Sequence, residues 1–268
     1  MNALCQMTGR SRAGFYRSRS PHQASPVEME IRDEMQRIAV ESPAYGYRRI
    51  TAELQRHGFD SNHKRVLRMM REDNLLCVRR RQFVITTDSR HNLPLYPNLA
   101  AQIKPTAVNQ LWVADITYIR LRVEFVYLAV VLDAFSRRVI GWDLGRSLEA
   151  GLAVTALRMA LQQRKPQPGM VHHSDRGVQY ASQEYTGLLR EQKVQISMSR
   201  TGNPYDNAVC ESFMKTLKYE EIYRNEYRHL SEARTSIRAF LESVYNQKRL
   251  HSALGYLPPA EFEDGAAS

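Results

Sequence analysis

The order of apolar, β-rich segments in the second half of the chain limits the available folds most strongly. Three such segments follow one another directly, and strand and helix patterns alternate after them. The strand patterns are Leu111–Leu121, Phe125–Leu132, Arg138–Leu144, Met170–Ser174 and Val194–Met198, and the helical patterns are Leu148–Gln163, Gln183–Glu191, Asp206–Tyr223 and Ser231–Asn246. This order predicts an α/β fold, a mixed five-stranded sheet with flanking helices.

The first part of the chain has a helical pattern instead. Apolar residues recur at helical spacing from Val27 onward, a second helix is predicted from Gly46 to His57, and a third runs to about Asp73 with Ser61 as its N-cap. Proline-containing polar stretches flank this block. We therefore predict a tail and linker over 1–26, an all-α domain over 27–80, a second linker over 81–108 and a core over 109–268.

The charge distribution indicates a polyanionic partner. The chain carries 38 Lys and Arg against 28 Asp and Glu, a formal charge of +10, and residues 1–108 hold 18 basic and 10 acidic residues of these. Nucleic acid is the usual partner of such a chain, although ordinary variation in surface charge is the alternative.

Membrane, secreted and zinc-stabilised classes are not expected. The longest uncharged apolar run, over 125–132, has eight residues, whereas a transmembrane helix needs about 20. The N-terminus lacks a secretory pattern, and the three cysteines form no CxxC pair. We expect a soluble, cytoplasmic protein that has no membrane partner.

Three acidic residues lie at positions where an acid is unusual or where ligands commonly bind. Asp115 interrupts an apolar strand, Asp175 follows the end of another, and Glu211 lies on a helix for which Asp206 is the predicted N-cap. Each alone could be a solvated or hydrogen-bonded acid. Together, without a nearby thiol, they suit Mg²⁺ or Mn²⁺, and two such ions can promote phosphodiester displacement. A basic chain with this cluster points to a DNA- or RNA-processing enzyme.

The helix that carries Glu211 has one polar face. At about 100° per residue, Asn207, Lys215 and Lys218 fall within about 40° of Glu211. Cys210, Phe213 and Leu217 form the opposite, apolar side. A solvated face with a Glu211–Lys215 pair is the alternative interpretation of this pattern.

The spacing of the acids resembles a known signature. Asp115 and Asp175 are 60 positions apart, and 35 residues lie between Asp175 and Glu211. This resembles the D,D-35-E motif of retroviral integrases and of the OrfB-type transposases of bacterial insertion sequences, both of the DDE superfamily. The resemblance covers residues 27 to 263, through the motifs LWVADITYI at 111–119, DAFSRRVIGW at 133–142, HSDRGVQY at 173–180, SMSRTGNPYDNA at 197–208, ESFMKTLK at 211–218 and YN…RLHSALGY at 245–256.

The resemblance implies a ribonuclease-H-like core in which Asp115, Asp175 and Glu211 hold two Mg²⁺ or Mn²⁺ ions. Water would cut DNA at the ends of the element, and the freed 3′-OH would then attack target DNA. Lys218, seven positions after Glu211, would contact DNA near the active site. We also predict DNA contacts for Lys215 and Asn207 on the same face of this helix. The implied partners are the element's terminal inverted repeats, target DNA, further copies of the chain in a synaptic complex, and an upstream helix-turn-helix and coiled-coil frame product.

The N-terminal helices resemble the helix-turn-helix segment that precedes the catalytic domain in this family. In the third predicted helix one side is basic and the opposite side, with Val66 and Met70, is apolar. An amphipathic surface helix is the alternative. The predicted DNA-binding residues of this part are Lys64, Arg68, Arg71, Arg48 and Arg49.

Other residues compete for roles in chemistry. Asp133 is predicted to set a turn together with Ser136, and His172 and His173 are assigned a structural or DNA-facing role. The alternative to a transposase is a non-catalytic DNA-binding regulator of the same element. A tyrosine recombinase, on the strength of HSDR at 173–176, and a ribonuclease H are further alternatives.

Overall fold

The computed structural model describes residues 25–76, 94–199 and 207–266. The chain divides into two units, residues 1–77 and 78–268. None of the described helices is long and apolar enough to cross a membrane.

The first unit contains three helices, α1 Pro26–Glu41, α2 Tyr47–Arg56 and α3 His63–Glu72. Pro26 occupies the first turn of α1, and the Ser25 side chain accepts a hydrogen bond from the backbone N–H of Glu28. Apolar side chains of all three helices pack into one small core. The fully or nearly fully buried members are Ile31, Met35, Ile38, Ile50, Leu54, Val66, Met69 and Met70.

The prediction of Ser61 as the N-cap of α3 is wrong. Asn62 is the cap, because its side-chain oxygen accepts hydrogen bonds from the backbone N–H groups of Lys64 and Arg65. Ser61 is buried, and its carbonyl accepts a hydrogen bond from Gln55. Both residues are good N-caps, and the backbone geometry of the turn selects the second.

The second unit is built on the predicted mixed, ribonuclease-H-like five-stranded sheet, in the order β3-β2-β1-β4-β5. β2 pairs antiparallel with both β1 and β3, whereas β4 is parallel to β1 and β5. The strands are β1 Leu111–Arg120, β2 Phe125–Asp133, β3 Val139–Gly145, β4 Val171–Ser174 and β5 Gln195–Met198.

Helices cover both faces of the sheet, so that the core has two layers. One contains Trp112 and the buried side of α4, and the other contains Trp142 and the buried side of α7. Both tryptophans are core residues. The helices are α4 Ala150–Gln163, α5 Val178–Ala181, α6 Gln183–Glu191, α7 Ala208–Glu220, α8 Leu230–Ala239 and α9 Pro259–Ala266.

Two of the predicted helices differ in detail. α7 ends at Glu220, and a 3-10 turn, Ile222–Arg224, follows it. α8 continues as a π-helical turn, Phe240–Tyr245. The side chains of the first and last residue of this turn, Phe240 and Tyr245, are buried in the core of the sheet unit. Neither the short helix α5 nor the last helix α9 is predicted from the sequence.

The last helix is tied to the sheet by an ionic cluster around a buried carboxylate. Glu263 of α9 accepts hydrogen bonds from the hydroxyl of Ser136 at 2.7 Å and from the guanidinium groups of Arg138 and Arg164 at 2.6 Å. These contacts keep the pKa of Glu263 below its usual value in spite of burial. They connect the end of the chain to the β2–β3 turn and to the residue after α4.

The stretch 94–108, which falls in the predicted second linker, lies on the sheet unit. The backbone N–H groups of Leu99 and Ala100 donate to the Ser197 hydroxyl on β5. Leu99, Ala100 and Ile103 pack against the core layer that includes α7.

Candidate active site

Asp115 and Asp175 lie on neighbouring parallel strands. The register pairs Leu111, Trp112 and Val113 of β1 with residues 171–173 of β4. Asp115 lies two positions beyond the last paired residue of β1, and Asp175 directly follows β4. The carboxyl ends of parallel strands meet at one edge of a sheet, and ligands bind there. Adjacent strands are about 4.8 Å apart, so the two aspartates share this edge.

Backbone hydrogen bonds orient both aspartates. The backbone N–H of Ile116 donates to Asp115 Oδ1 at 2.9 Å. The backbone N–H of Gly177 donates to Asp175 Oδ1 at 2.8 Å. A Cβ atom added at Gly177 would lie only 3.0 Å from that same oxygen, so a residue without a side chain suits the turn.

Glu211 comes from α7, which lies beside β1. The Asn207 side-chain amide donates to the Ala114 carbonyl at 3.2 Å and fixes the start of the helix next to Asp115. Asp206, the predicted N-cap, lies outside the described residues. The predicted helix orientation is confirmed, since Cys210, Phe213 and Leu217 are buried.

The Glu211 side chain is 41% exposed and forms the i,i+4 ion pair with Lys215, with Nζ 3.9 Å from Oε2. The alternative interpretation of this helix face, a Glu–Lys pair on a solvated surface, is therefore present in the structure. Lys215 is 63% exposed and sits on the outer rim of the site.

The electrostatics of Asp115 connect the three acids. Burial, the negative charge of Asp175 and, to a smaller extent, that of Glu211 together raise the pKa of Asp115 to about 7. The Ile116 N–H and the Lys218 ammonium act in the opposite direction. Asp115 is thus desolvated among like charges, an arrangement that favours a bound proton or cation.

Within the described residues, no group of three or more His, Cys, Asp or Glu side chains is gathered closely enough to hold a metal ion as it stands. The structure brings Asp115 and Asp175 to one edge, whereas Glu211 faces Lys215. The donor chemistry nevertheless fits a hard divalent cation, because all three groups are carboxylates and their charges oppose one another. Their role as ligands stays a prediction.

Lys218 lies at the inner side of the site. Its ammonium group is 5.2 Å from the centroid of the Tyr118 ring. Burial lowers the pKa of Lys218, and the charge of Asp115 acts against this effect. A cation in this position is oriented by a ring and a carboxylate together. Tyr118 was not among the predicted site residues, although it lies three positions after Asp115 in the same strand.

The two histidines beside Asp175 have structural surroundings. Both are fully buried; His172 Nε2 lies 3.0 Å from the Tyr185 hydroxyl, and His173 lies between the hydroxyls of Ser197 and Ser199. Burial lowers the pKa of His172 to about 3, which keeps the ring neutral. Of the two roles assigned to these residues, the structure supports the structural one.

Asp133 sets a turn, as predicted. Its carboxylate accepts hydrogen bonds from the backbone N–H groups of Phe135 and Ser136, which close the turn after β2. It also accepts one from Asn109, ahead of β1. These donors explain the acid without any role in chemistry.

The predicted DNA-binding residues of the first unit differ in availability. Lys64, Arg71 and Arg48 are exposed, whereas Arg68 is held by the carboxylates of Glu28 and Glu72 within the same unit. Arg49 lies over the ring of Tyr45. Arg68 is therefore less available to a DNA phosphate than the exposed cations of α3. Contacts of these residues with DNA stay predictions.

Three family models match parts of the chain. Residues 26–83 match the family described as an HTH-like domain. Residues 105–204 and 192–259 match two families that are both described as an integrase core domain. The three predicted acids fall within these two core matches.

Individual relatives agree with the family matches. The chain is 38% identical over 268 residues to the uncharacterized 31 kDa protein of insertion element IS600 from Shigella sonnei, with 97% of each chain covered. It is 40% identical over 220 residues to the transposase for insertion sequence element IS904 from Lactococcus lactis, covering 82% of this chain and 87% of that one. Among solved structures, the HTLV-2 integrase catalytic core domain in complex with magnesium is 15% identical, with a TM-score of 0.46 over 60% of this chain and 99% of that one.

Proposed function

The chain belongs to the insertion-sequence transposases that carry an integrase core, enzymes of the DDE superfamily, and on that premise we propose that it cuts DNA at the ends of an insertion sequence and joins the cut strands to target DNA. Both steps would be metal-dependent phosphodiester chemistry at Asp115, Asp175 and Glu211. The observation that supports this best is that Asp115 and Asp175 come from two neighbouring parallel strands, β1 and β4, at one edge of the sheet.

The proposed metal ligands are the carboxylates of Asp115, Asp175 and Glu211. Two bound Mg²⁺ or Mn²⁺ ions would supply an activated attacking oxygen and stabilise the leaving oxygen. The backbone N–H groups of Ile116 and Gly177 each hold one oxygen of an aspartate and so fix the orientation of both carboxylates. Glu211 would exchange its contact with Lys215 for this site, and Lys215 would then be available to a DNA phosphate.

Lys218 is proposed to position the DNA strand at the acids. Its ammonium group is already partly desolvated and oriented over Tyr118, so it loses little freedom on contact with a phosphate. Asn207, which anchors α7 to β1, would hold the start of this helix in place during the reaction.

The helical unit is proposed to bind the element's terminal inverted repeats through the exposed cations of α2 and α3. Further copies of the chain in a synaptic complex and the upstream frame product are the remaining proposed partners. The proposed place of action is the bacterial cytoplasm, on nucleoid DNA.

The test is strand cleavage of duplex DNA that carries the element's ends, with Mg²⁺ and with EDTA. Asp175→Asn is expected to abolish cleavage and to leave DNA affinity unchanged. Asp143→Asn is the matched control, because Asp143 lies on β3 of the same sheet and pairs with Arg234, and this variant should cleave normally.

Three outcomes would contradict the proposal. Cleavage by the Asp175→Asn variant at the rate of the wild type would contradict the proposed metal ligands. Binding without any Mg²⁺-dependent cleavage, with and without the upstream product, would favour the non-catalytic regulator. A covalent DNA adduct that resists SDS would favour the tyrosine recombinase.

A further inference from the structure

Four aromatic side chains lie together beside the part of β1 that extends beyond its pairing with β4. We name this cluster the aromatic edge; it consists of Tyr118, Phe125, Tyr219 and Tyr223. The ring centroids of Tyr118 and Phe125 are 5.8 Å apart and those of Tyr219 and Tyr223 are 5.7 Å apart, both edge to face. The two pairs are neighbours, because the ammonium group of Lys218, the residue before Tyr219 in α7, lies 5.2 Å from the Tyr118 centroid.

The aromatic edge is unusually exposed. Phe125 is 53% and Tyr223 is 40% exposed, and among the described residues these are the two exposed aromatic side chains. Every other described Phe, Tyr or Trp side chain is buried or half-buried in its own unit. Exposed aromatic area concentrated in one place marks an interaction surface, since its burial by a partner is favourable.

Positive charge accompanies these rings. The Lys218 ammonium lies 5.2 Å from the Tyr118 centroid, and Arg120, two residues further on the same face of β1, is exposed. The nearby carboxylate of Glu220 is neutralised by Arg249, at 2.7 Å. Aromatic rings together with cations bind single-stranded nucleic acid, because bases stack on the rings and phosphates meet the cations.

The aromatic edge is close to the acids. Tyr118 follows Asp115 by three residues in β1, so their Cα atoms are about 10 Å apart and their side chains leave opposite faces of the strand. This length equals about three base steps of duplex DNA at 3.4 Å each. Lys218 links the two places, since its charge acts on Asp115 and its ammonium lies over Tyr118.

We propose that the aromatic edge binds the unpaired bases of a DNA strand within about three nucleotides of the phosphate that is cut. This inference rests on the proposed function, because it assumes that DNA enters at Asp115 and Asp175. Stacking holds frayed end bases out of the duplex, and it requires no particular base sequence. The edge therefore selects opened DNA ends, whereas the helical unit binds the intact duplex.

The experiment compares two probes with the full-length chain in EDTA, so that cleavage plays no part. One is a blunt duplex, and the other is the same duplex with a three-nucleotide unpaired tail that contains 2-aminopurine. We expect the wild type to bind the tailed probe about tenfold more tightly and to quench the 2-aminopurine fluorescence. Tyr223→Leu and Phe125→Leu should remove most of this preference and the quenching, with unchanged affinity for the blunt probe.

Tyr223→Phe is the matched control, because it keeps the ring and should keep the preference. Asp175→Asn should also keep it, so a failure of the proposed cleavage chemistry is distinguishable from a failure of this inference. Equal affinity of the wild type for both probes, or a preference that survives in both Leu variants, would overturn the inference. A Tyr223→Leu variant that changes only self-association in sedimentation would assign the edge to a second copy of the chain instead.

Discussion

Replacement of Asp115 by Asn should make the sheet unit more stable at neutral and alkaline pH. The folded-state pKa of Asp115 is about 7, against an ordinary value of 3.8. The folded state therefore holds a proton that the unfolded chain releases, and stability is lost as the pH rises from about 4 to about 7. Above that range the charged carboxylate destabilises the fold, whereas the amide of the variant carries no charge at any pH.

The size of the effect follows from the same two values. At about 1.4 kcal/mol per pH unit, they correspond to an upper limit of about 4 kcal/mol. We expect Asp115→Asn to gain about 2–4 kcal/mol at pH 8 and almost nothing at pH 4, where both side chains are neutral. The side-chain oxygen of the introduced amide can keep the hydrogen bond that the Ile116 N–H donates.

The assay is urea unfolding in EDTA, followed by tryptophan fluorescence from pH 4 to 8. Both tryptophans of the chain, Trp112 and Trp142, are in the core of the sheet unit, so their fluorescence reports on this unit alone. Under the proposed function, added Mg²⁺ should stabilise the wild type more than the variant, because it would bind the folded acids.

Asp133→Asn is the control with the opposite sign. Asp133 also has a raised pKa through burial, but its two oxygens accept three backbone N–H bonds. An amide would place a donor against one of these N–H groups, so this variant should lose stability at pH 8. A stability gain for Asp115→Asn that does not depend on pH, or a loss at pH 8, would refute the reasoning.

Three further predictions concern packing, capping and charge. Gly141→Ala should destabilise the sheet unit by about 3 kcal/mol or more in urea unfolding, because the new Cβ would lie 2.2 Å from the Ala156 carbonyl oxygen of α4; Gly187→Ala, with nothing within 4 Å, should be neutral or stabilising. Asn62→Ala should weaken amide-exchange protection at the start of α3 by about 1 kcal/mol, whereas Ser61→Ala should have no capping effect; equal effects would contradict the observed cap. DNA affinity should fall with salt at a log–log slope of about −0.9 per phosphate neutralised, and a binding constant indifferent to salt would argue against charge-driven binding.

The strands could be predicted from the sequence because each one is a short apolar run between polar turns. The orientation of α7 could be predicted for a similar reason, since helical periodicity alone places Cys210 and Leu217 on the buried side. The choice between Ser61 and Asn62 could not, because adjacent residues with equal capping ability differ only in backbone geometry. The cluster around Glu263 was also missed, since its partners lie as far as 127 positions away in the chain.

The candidate site also has features that the sequence predicts and features that it does not. The spacing of the acids, together with the family resemblance, predicts that Asp115 and Asp175 are neighbours, and the parallel pairing of β1 with β4 agrees. The i,i+4 spacing of Glu211 and Lys215 indicates their ion pair as an alternative to a metal-binding Glu211. The choice between the two arrangements depends on side-chain rotamers and on repulsion among the carboxylates, so the sequence pattern leaves it open. Tyr118 was overlooked because an aromatic residue in a strand usually indicates packing rather than binding.

The position of Glu263 has a consequence for synthesis of the protein on the ribosome. The β2–β3 turn and the end of α4 receive their counter-charge from α9, which is translated about a hundred residues after Arg164. A nascent chain can therefore form its strands early but cannot neutralise Arg138 and Arg164 until α9 has emerged from the exit tunnel. Premature termination shortly before residue 263 would leave a chain that contains Asp115, Asp175 and Glu211 but lacks this ionic contact.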